Sequence, residues 1–374
     1  MRKLFSKLHL WLSVPLGLII SVVCLSGAAL VFEKEIIRAT HPGIYRVEAP
    51  ESAVPLPPSE LVARIRAQMP DSLRLSSLTV YGDPEEAWMA GFENVRRQTL
   101  SVNPYTGEVN GWTTSSPFFQ TMRKLHRWLM DAPPRKGATT TGKTVVGVTT
   151  LVMVVILVSG LVLWVPRNKR ALKHRLRVSC TNGWRRFWYD SHVALGFYAT
   201  LFLLVMALTG LTWSFSWYRK AAYSLFGASA SQEKATAATT SVAPQKEREH
   251  KDFDFTVWDR TLNAAQTAYP AHQSIELGSG TIDVSTTPSS TLRKIDRLRF
   301  DRRTGDITEI SRHEDTPAAQ KLKGWFYAFH TGSWGGIWTK TLYFLAAIIG
   351  GLLPLSGYYL WYRRKCHRQR KRYR

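Results

Sequence analysis

The sequence predicts a membrane protein with an all-α bundle of four transmembrane helices, built from two parallel repeats, and two small α+β domains outside the membrane. Three observations support this fold class. Four long stretches of the 374-residue chain contain no Asp, Glu, Lys or Arg. Most of the net positive charge lies in three short segments beside them, and the two halves of the chain match in order and spacing.

The four uncharged stretches are 10–32, 144–165, 191–218 and 341–362. Each is long enough to be a spanning helix, because about 20 apolar residues cross a hydrocarbon core of about 30 Å. The first stretch follows Arg2 and Lys3, as a signal peptide would. It is too long for the apolar region of a signal peptide, typically about 7–15 residues, so we expect an uncleaved anchor.

The positive charge predicts the orientation. Of the 50 Lys and Arg residues, 19 lie in segments 1–9, 166–190 and 363–374, which hold one acidic residue, Asp190. Each segment adjoins an apolar stretch, so the positive-inside rule places all three in the cytoplasm of a bacterial inner-membrane protein and segments 33–143 and 219–340 in the periplasm. The charge does not indicate nucleic-acid binding, because no aromatic-interleaved patch or binding module accompanies it.

The two halves of the chain repeat one another. In the first and third stretches a glycine follows a histidine after 18 residues, so that His9 and Gly27 correspond to His192 and Gly210. The second and fourth stretches end in Ser-Gly pairs at 159–160 and 356–357. Each half crosses the membrane twice in the same sense, which makes the repeats parallel and relates them by an axis along the membrane normal.

The outer segments also match. Each has a helix candidate, 59–69 in the first and 257–269 in the second, followed by strands. Each then has a Thr-Gly-Glu/Asp turn, at 106–108 and 304–306, in which glycine supplies the positive φ that a hairpin turn needs. Each segment is therefore predicted to form a small α+β domain.

These observations divide the chain into nine parts. They are the cytoplasmic N-terminus 1–9, the span 10–32, the first outer domain with an interfacial segment 33–143, the span 144–165, the cytoplasmic loop 166–190, the span 191–218, the second outer domain with an interfacial segment 219–340, the span 341–362 and the cytoplasmic tail 363–374.

Four histidines lie at matching places near the ends of the spans. His9 and His192 mark the cytoplasmic ends of the first and third spans, and His126 and His330 lie outside, shortly before the second and fourth. Pairing by depth gives one pair near each face. Two neutral imidazoles from different helices can clamp one haem iron, so we predict a haem site at each face. Ionisable residues at membrane depth are in general a functional signal.

Other residues are candidates for contact with these haems. The glycines that end the spans would let a flat macrocycle lie against each helix, although ordinary small-residue helix packing also explains them. Basic side chains at each face could pair with haem propionates, although topogenic charge explains them equally well. They are Arg123, Arg127 and Lys340 outside, and Lys7, Arg185 and Arg186 inside.

Several other signals carry little weight. Residues 137–144 fit the G-x-x-x-x-G-K-T pattern, but no buried strand precedes them and an apolar span follows, so we expect no ATP site. The three cysteines lie in a span or in cytoplasmic segments, so no outer disulfide is expected, and no C-x-x-C-H motif would attach haem covalently. The remaining outer histidines are expected to be solvated rather than metal-binding. They are His41, His250, His272 and His313.

On its duplicated Thr-Gly turns, its Leu-His pairs at His9 and His126 and its Ser/Thr-Gly pair in each span, the chain resembles the PepSY-associated transmembrane family over nearly its whole length. The four-span form without a flavin domain is similar to inner-membrane ferric-siderophore reductases of the ferrioxamine type. That resemblance implies two non-covalent b-type haems in the bundle, which pass electrons to Fe(III) chelates in the periplasm.

The predicted function is therefore a di-haem conduit that reduces an Fe(III)-siderophore and so releases Fe(II) for uptake. Electrons would enter from quinol or from a soluble donor on the basic face. They would pass from the inner to the outer haem and reach a chelate held by the outer domains. Trp112, Trp334 and Trp338 are candidates for the substrate surface, although interfacial anchoring also explains a tryptophan there.

Three alternatives remain at this point. The chain could be a membrane-anchored PepSY binding module without redox activity, or a di-haem reductase of another partner, such as an oxidised protein or copper. A transporter is a third alternative, but it would need polar or acidic residues within the spans, and the four stretches contain no Asp or Glu.

Overall fold

The computed structural model describes residues 1–51, 54–95, 98–113, 116–135, 138–228, 253–287 and 294–370, and only the backbone of 367–370. The chain divides into two compact units. The helical unit comprises Met1–Glu33, Pro117–Phe226 and Trp325–Arg374, and the sheet unit comprises Lys34–Ser116 and Gly227–Gly324.

The described helices and strands are numbered in chain order. The helices are α1 (Arg2–Val31), α2 (Glu33–Thr40), α3 (Pro42–Tyr45), α4 (Pro58–Gln68), α5 (Pro117–Trp128), α6 (Thr141–Trp164), α7 (Lys169–Arg175), α8 (Gly183–Ser214), α9 (Ser216–Leu225), α10 (Thr256–Ala268), α11 (Ala318–Thr331) and α12 (Gly336–Arg370). The strands are β1 (Leu75–Tyr81), β2 (Trp88–Phe92), β3 (Leu100–Val102), β4 (Val109–Trp112), β5 (Ser274–Gly278), β6 (Thr281–Ser285), β7 (Ile295–Phe300) and β8 (Ile307–Ser311).

Four helices of the helical unit are long and apolar enough to cross a membrane: α1, α6, α8 and α12. Each packs against two of the others in the cyclic order α1, α6, α8, α12, so α1 and α8 lie on one diagonal of the bundle and α6 and α12 on the other. Ile20, Met153, Leu157 and Leu203 are buried at the centre. The four helices cover nearly all of the four uncharged stretches.

We call the two ends of the bundle the basic end and the far end. The basic end adjoins the N-terminus, segment 166–190 and the end of α12. The far end lies opposite, where α5 precedes α6. The α8 helix ends at Ser214, before the predicted 218, because Phe215 adopts an extended conformation and a new helix, α9, starts at Ser216.

A tyrosine joins α1 to α12 near the basic end. Pro15 lies inside α1 and lacks an N–H donor, which weakens the helix at this point. The Tyr358 hydroxyl donates to the Val14 carbonyl at 2.8 Å and accepts from the Leu18 N–H at 3.0 Å. These two backbone groups would bond to each other in an uninterrupted α-helix. The side chain thus satisfies backbone groups that water cannot reach inside a bilayer.

The sheet unit contains one antiparallel sheet of eight described strands, in the order β4-β3-β2-β1-β5-β6-β7-β8. The first half of the chain supplies β1 to β4 and the second half supplies β5 to β8. The two sets meet where β1 pairs with β5, from Ser77 opposite Gly278 to Tyr81 opposite Ser274. Helices α4 and α10 contact each other, and their buried side chains share one core with the sheet, which includes Leu61 and Trp258.

This architecture corrects the prediction of two separate outer domains. Each segment does form the predicted helix followed by strands, with α4 and α10 within one residue of the predicted bounds. However, a four-stranded half would leave the edge of β1 or β5 unpaired beside an apolar core, and such an edge invites pairing with another strand. The two halves pair these edges with each other and form a single α+β unit.

The predicted Thr-Gly turns are confirmed in both halves. Gly107 has φ of +74° and Gly305 has φ of +80°, which only glycine adopts readily. In the first turn the Arg64 side chain donates to the Thr106 carbonyl at 2.6 Å. In the second, Arg260 donates to the Thr304 carbonyl at 2.9 Å. An arginine of the preceding helix thus fixes each turn in the same way.

Candidate histidine centres of the bundle

The structure places the four predicted histidines in two pairs. His9 on α1 and His192 on α8 come from diagonally opposed helices and meet at the basic end, with ring centroids 6.4 Å apart and ring planes at 85°. His126 on α5 and His330 on α11 meet at the far end, with centroids 6.0 Å apart and planes at 51°. These are the partners that depth in the sequence suggested.

At the basic end, each imidazole is bound through Nδ1 to a helix of the other diagonal. The His9 Nδ1–H donates to the Ile156 carbonyl and the Ser159 hydroxyl of α6, both at 3.1 Å. The His192 Nδ1–H donates to the Ser356 hydroxyl of α12 at 2.8 Å. Both hydroxyls act as acceptors here, because each donates its own hydrogen to a carbonyl of its own helix.

At the far end, the imidazoles are bound to α1 and α8. The His126 Nδ1–H donates to the Val23 carbonyl of α1 at 2.8 Å. The His330 Nδ1–H donates to the Met206 carbonyl of α8 at 2.9 Å and lies 3.2 Å from the Thr209 hydroxyl. Both backbone acceptors lie one turn before the glycine that ends the span.

A glycine faces every one of these rings. A Cβ added to Gly27 would lie 2.8 Å from His126 Cε1, and one added to Gly160 or Gly210 would lie 3.2 Å from Cε1 of His9 or His330. At Gly357 the distance to His192 is 3.6 Å. These glycines make room for the imidazoles, because each histidine lies on the backbone of a neighbouring helix. That they also let a macrocycle lie against the helix stays a prediction.

We call each such arrangement an imidazole dock. It consists of a glycine, the Ser or Thr before it and the carbonyl of the residue four positions before the glycine. The four docks are Ile156/Ser159/Gly160, Leu353/Ser356/Gly357, Val23/Ser26/Gly27 and Met206/Thr209/Gly210. A hydrogen bond at Nδ1 fixes the tautomer and leaves Nε2 as the free ligand atom, as is usual for metal-bound histidine.

The spacing of each pair fits one six-coordinate iron between the rings. With a metal–nitrogen bond of about 2 Å and a ring centre about 1 Å behind Nε2, two opposed imidazoles have centroids about 6 Å apart. The observed 6.4 Å and 6.0 Å match this distance. The fixed tautomer, the spacing and the glycine beside each ring all fit bis-histidine haem.

A cavity of about 910 Å³ surrounds the basic-end pair. It lies within the range of about 300–1,000 Å³ that is typical of cofactor sites. Its lining includes His9, His192, Gly160 and Gly357, with apolar side chains toward the middle of the bundle and arginines toward the basic end. A site of this composition suits a flat apolar cofactor with carboxylates at one edge.

The predicted basic side chains are distributed unevenly. Arg185 and Arg186 line the cavity, whereas Lys7 is exposed and outside its lining. At the far end, Arg123 forms an ion pair with Glu33 at 2.5 Å, and Lys340, only 6% exposed, has its ammonium 5.3 Å from the ring of Phe32.

Burial keeps the far-end histidines neutral. It lowers the pKa of His126 below its usual range and that of His330 to about 4. The neutral imidazole is the form that ligates metal. Arg127, the third predicted basic residue at this end, stacks on Trp128, with its guanidinium carbon 4.6 Å from the ring centre.

The phosphate-loop pattern at 137–144 has a different role in the structure. Gly137 lies outside the described residues. The Asp131 carboxylate accepts from the Gly142 N–H at 2.8 Å, so a negative group of the chain itself lies at the start of α6. A Cβ at Gly142 would overlap the Trp128 carbonyl, which explains the glycine by close packing.

The other candidate residues do not belong to the histidine pairs. His250 lies outside the described residues, and the imidazoles of His41 and His272 bond within their own turns. Within the described part of the chain, no group of three or more His, Cys, Asp or Glu side chains is placed to hold a metal ion. Trp112 packs on Phe92 in the sheet unit, and Trp338 is 80% exposed.

Sequence reasoning missed two features of the site. The first is the docking role of Ser159, Ser356 and Thr209, although each directly precedes a glycine that we singled out. The second is Trp213, whose ring lies 5.2 Å from that of His330. The repeated Ser/Thr-Gly pairs could have indicated the role of the hydroxyls. Nothing in the repeat indicated Trp213, because the first half has Leu30 at the matching position.

Comparison with known proteins identifies the family of the chain. No curated protein matches the chain. The model of one family, described as the PepSY-associated TM region, matches residues 6–364, which is nearly the entire sequence. That match covers most of each of the four long helices and includes both histidine pairs, and this multi-pass membrane protein therefore belongs to the PepSY-associated transmembrane family.

Proposed function

We propose that this protein carries electrons across a bacterial inner membrane through two b-type haems and reduces an Fe(III)-siderophore in the periplasm. His9 and His192 would hold one haem, and His126 and His330 the other. Each haem would supply a one-electron Fe(III)/Fe(II) couple, with a potential tuned by burial and by hydrogen bonds to the axial ligands. The observation that carries the proposal is the presence of two docked imidazole pairs, one at each end of a single bundle.

The separation of the pairs supports transfer across a bilayer. On α1, Gly27 lies 18 residues beyond His9, and on α8 Gly210 lies 18 residues beyond His192. At 1.5 Å per residue, the two levels are about 27 Å apart along the helices, close to the thickness of the hydrocarbon core. The positive-inside pattern favours a cytoplasmic basic end, so electrons would flow from the basic end to the far end.

The substrate class comes from chemistry and from the resemblance to ferrioxamine-type reductases. Hydroxamate and catecholate oxygens bind Fe(II) less well than Fe(III), so a one-electron reduction releases the metal. One electron from the haem that His126 and His330 would hold would convert chelated Fe(III) to Fe(II), and no other group would need to be transferred. Another periplasmic oxidant remains the alternative acceptor.

A second candidate function is a membrane-anchored binding module without redox activity. The observation that favours it is a pocket of about 320 Å³ in the sheet unit. Arg66 and Arg74 line it together with aromatic rings, and the Arg66 guanidinium carbon lies 4.7 Å from the ring centre of Phe255. This candidate does not explain two imidazole pairs with free Nε2 atoms.

The first test is an absorption spectrum of the detergent-purified protein, oxidised and then reduced with dithionite, with a pyridine haemochrome count. We expect sharp reduced α-bands and about two b haems per chain. His9→Ala and His126→Ala should each leave about one haem, because each removes one axial ligand of one site. His272→Ala, which removes an imidazole of the sheet unit, is the matched control.

The second step tests the acceptor. The dithionite-reduced protein, freed of excess reductant, is mixed without oxygen with the Fe(III) complex of desferrioxamine, and an Fe(II)-specific dye traps the product. Haem oxidation and Fe(II) formation should proceed together. A protein that takes up no haem refutes the redox function and favours the binding module. A haem protein that does not reduce the chelate requires a different acceptor.

A further inference from the structure

The cavity around His9 and His192 has a mouth of unusual composition. Five arginines line it toward the basic end, and every cationic side chain in the lining other than the two histidines is an arginine. They are Arg175, Arg185, Arg186, Arg363 and Arg364. Lysines of the same basic segments, such as Lys169 and Lys173 on α7, are absent from the lining.

Two of these arginines already have partners in the bundle. Arg175 donates to the Leu163 carbonyl at 2.9 Å and also to that of Trp164, and so caps the end of α6. Arg186 forms an ion pair with Asp190 at 2.7 Å. These two side chains serve the architecture of the helical unit, and their charges are partly compensated.

The other three have no carboxylate partner within the described part of the chain. Arg185, Arg363 and Arg364 are exposed, and Arg363 lies only against the ring of Tyr359, at 5.6 Å. The one acidic residue of the basic segments, Asp190, is 4% exposed and engaged by Arg186. The mouth thus presents a concentrated positive potential to solvent. No exposed acid of the described basic segments offsets it, and the two propionates of a haem would balance only part of the charge of the five arginines.

The positions of these three side chains relate the potential to the site. Arg185 precedes His192 by seven residues on α8, and Arg364 follows Gly357 by seven residues on α12. At 1.5 Å per residue, the Cα atoms of Arg185 and Arg364 lie about 10 Å along their helices from those of His192 and Gly357. A partner held by these arginines would therefore lie beside the cavity that contains the electron-accepting site.

Topogenic charge alone does not require this arrangement. The positive-inside effect depends on Lys and Arg near the ends of spans and not on which of them lines a cavity. Arginine is also the cation that proteins favour at interfaces, because its planar fork binds carboxylates in two-point contacts. The cluster therefore fits carboxylate-rich protein surfaces better than it fits a purely topogenic role.

From this geometry we infer that the mouth is the docking surface for a small acidic protein that delivers electrons one at a time. The inference rests on the proposed electron-transfer function and selects a soluble donor over a membrane quinol. The donor would lose one electron, an iron held by His9 and His192 would gain it and change from Fe(III) to Fe(II), and no bond to either partner would form or break. Electrostatic steering of this kind raises association rates and is weakened by salt.

The test uses haem-loaded protein in nanodiscs of zwitterionic lipid and an acidic flavodoxin as the probe. Binding of oxidised flavodoxin is measured first, since it needs no electron transfer. The rate of haem reduction by flavodoxin hydroquinone is then measured at ionic strengths of about 50 and 500 mM, where the Debye length falls severalfold. We expect the second-order rate constant to fall about tenfold over this range.

Two triple variants with the same change in net charge separate the mouth from the rest of the basic end. Arg185→Gln, Arg363→Gln and Arg364→Gln together should weaken flavodoxin binding and slow reduction about tenfold at low salt. Lys169→Gln, Arg170→Gln and Lys173→Gln alter exposed residues outside the lining and should stay within about twofold of the parent. Equal behaviour of the two variants would overturn the inference.

Two further outcomes would also overturn it. One is rapid reduction by a water-soluble quinol combined with no binding of flavodoxin, which would assign entry to the membrane pool. The other is a mouth variant that loses only the retention of anionic lipid in mixed nanodiscs, which would assign the arginines to lipid headgroups. A failure of the proposed function is recognised separately, because a protein without haem would show no haem bands at all.

Discussion

The two ends of the bundle hold their imidazoles by the same device but present them on different elements. At the basic end, both histidines belong to the spanning helices α1 and α8, and the nearest partner of His192 is a hydroxyl, that of Ser356. At the far end, both belong to the shorter helices α5 and α11, and the nearest partners are backbone carbonyls. The dock is thus the common feature, and the helix that carries the histidine is variable.

The largest expected effect comes from filling a dock. Gly27→Ala places a Cβ 2.8 Å from the His126 ring, so the imidazole must leave its position and the far-end haem should be lost. Gly160→Ala and Gly210→Ala, at 3.2 Å, should lower occupancy at their own ends by less, and Gly357→Ala, at 3.6 Å, should be tolerated. Haem per chain and the reduced spectrum measure the series.

Gly324→Ala is the control for this series, because no atom lies within 4 Å of the added Cβ and the residue is on α11 with His330. It should keep both haems. If occupancy does not follow the order of the four distances, the glycines serve helix packing in general and not the imidazoles.

A smaller effect should distinguish hydroxyl-dependent from carbonyl-dependent docks. Ser356→Ala removes the closest acceptor of His192, and loss of such an outer hydrogen bond typically weakens metal binding about 10- to 100-fold. Thr209→Val should change haem retention at the far end less than about twofold, because the Met206 carbonyl still accepts from His330. Haem transfer to apomyoglobin measures haem retention at each end. If Ser356→Ala and Thr209→Val weaken retention equally, the hydroxyl is no more important at the basic end than at the far end.

The smallest expected effect concerns potential and not occupancy. Glu33→Gln removes the anionic partner of Arg123, whose side chain lies one turn before His126 on α5. The uncompensated cation should favour the reduced, less positive iron and raise the far-end midpoint potential, with the basic-end potential unchanged. Glu85→Gln, which breaks the Arg46–Glu85 ion pair of the sheet unit, is the control in the same redox titration. A fall in the far-end potential would contradict this argument.

The sequence predicted the bundle well, because uncharged stretches and basic flanks report directly on the cost of placing charge in a bilayer. It also predicted which histidines meet, since residues at the same depth of a repeat face one another. It could not show that β1 pairs with β5. Alternation of apolar and polar residues indicates a strand and its buried face, but it does not indicate which strand pairs with a free edge. For the same reason, the sequence predicted a separate sheet for each outer segment, whereas the eight described strands form one sheet.

The glycines illustrate a second limit. Their repeated spacing indicated that Gly27, Gly160, Gly210 and Gly357 matter. However, a glycine in a sequence does not identify the group that packs against it. Only the packing of His126 against Gly27, and of His9 against Gly160, identified the occupant as an imidazole. Trp213 was not predicted at all, since no counterpart occurs in the first half of the chain.

The docks have a consequence for how the bundle assembles. Lipid supplies no hydrophobic drive for helices to associate, so close packing and hydrogen bonds between the helices hold such a bundle together. Each Nδ1–H donates to a neighbouring helix and therefore ties one helix to another: α1 to α6, α8 to α12, α5 to α1 and α11 to α8. The same four hydrogen bonds that orient the imidazoles therefore also join the helices of the bundle, through groups that belong to the chain itself.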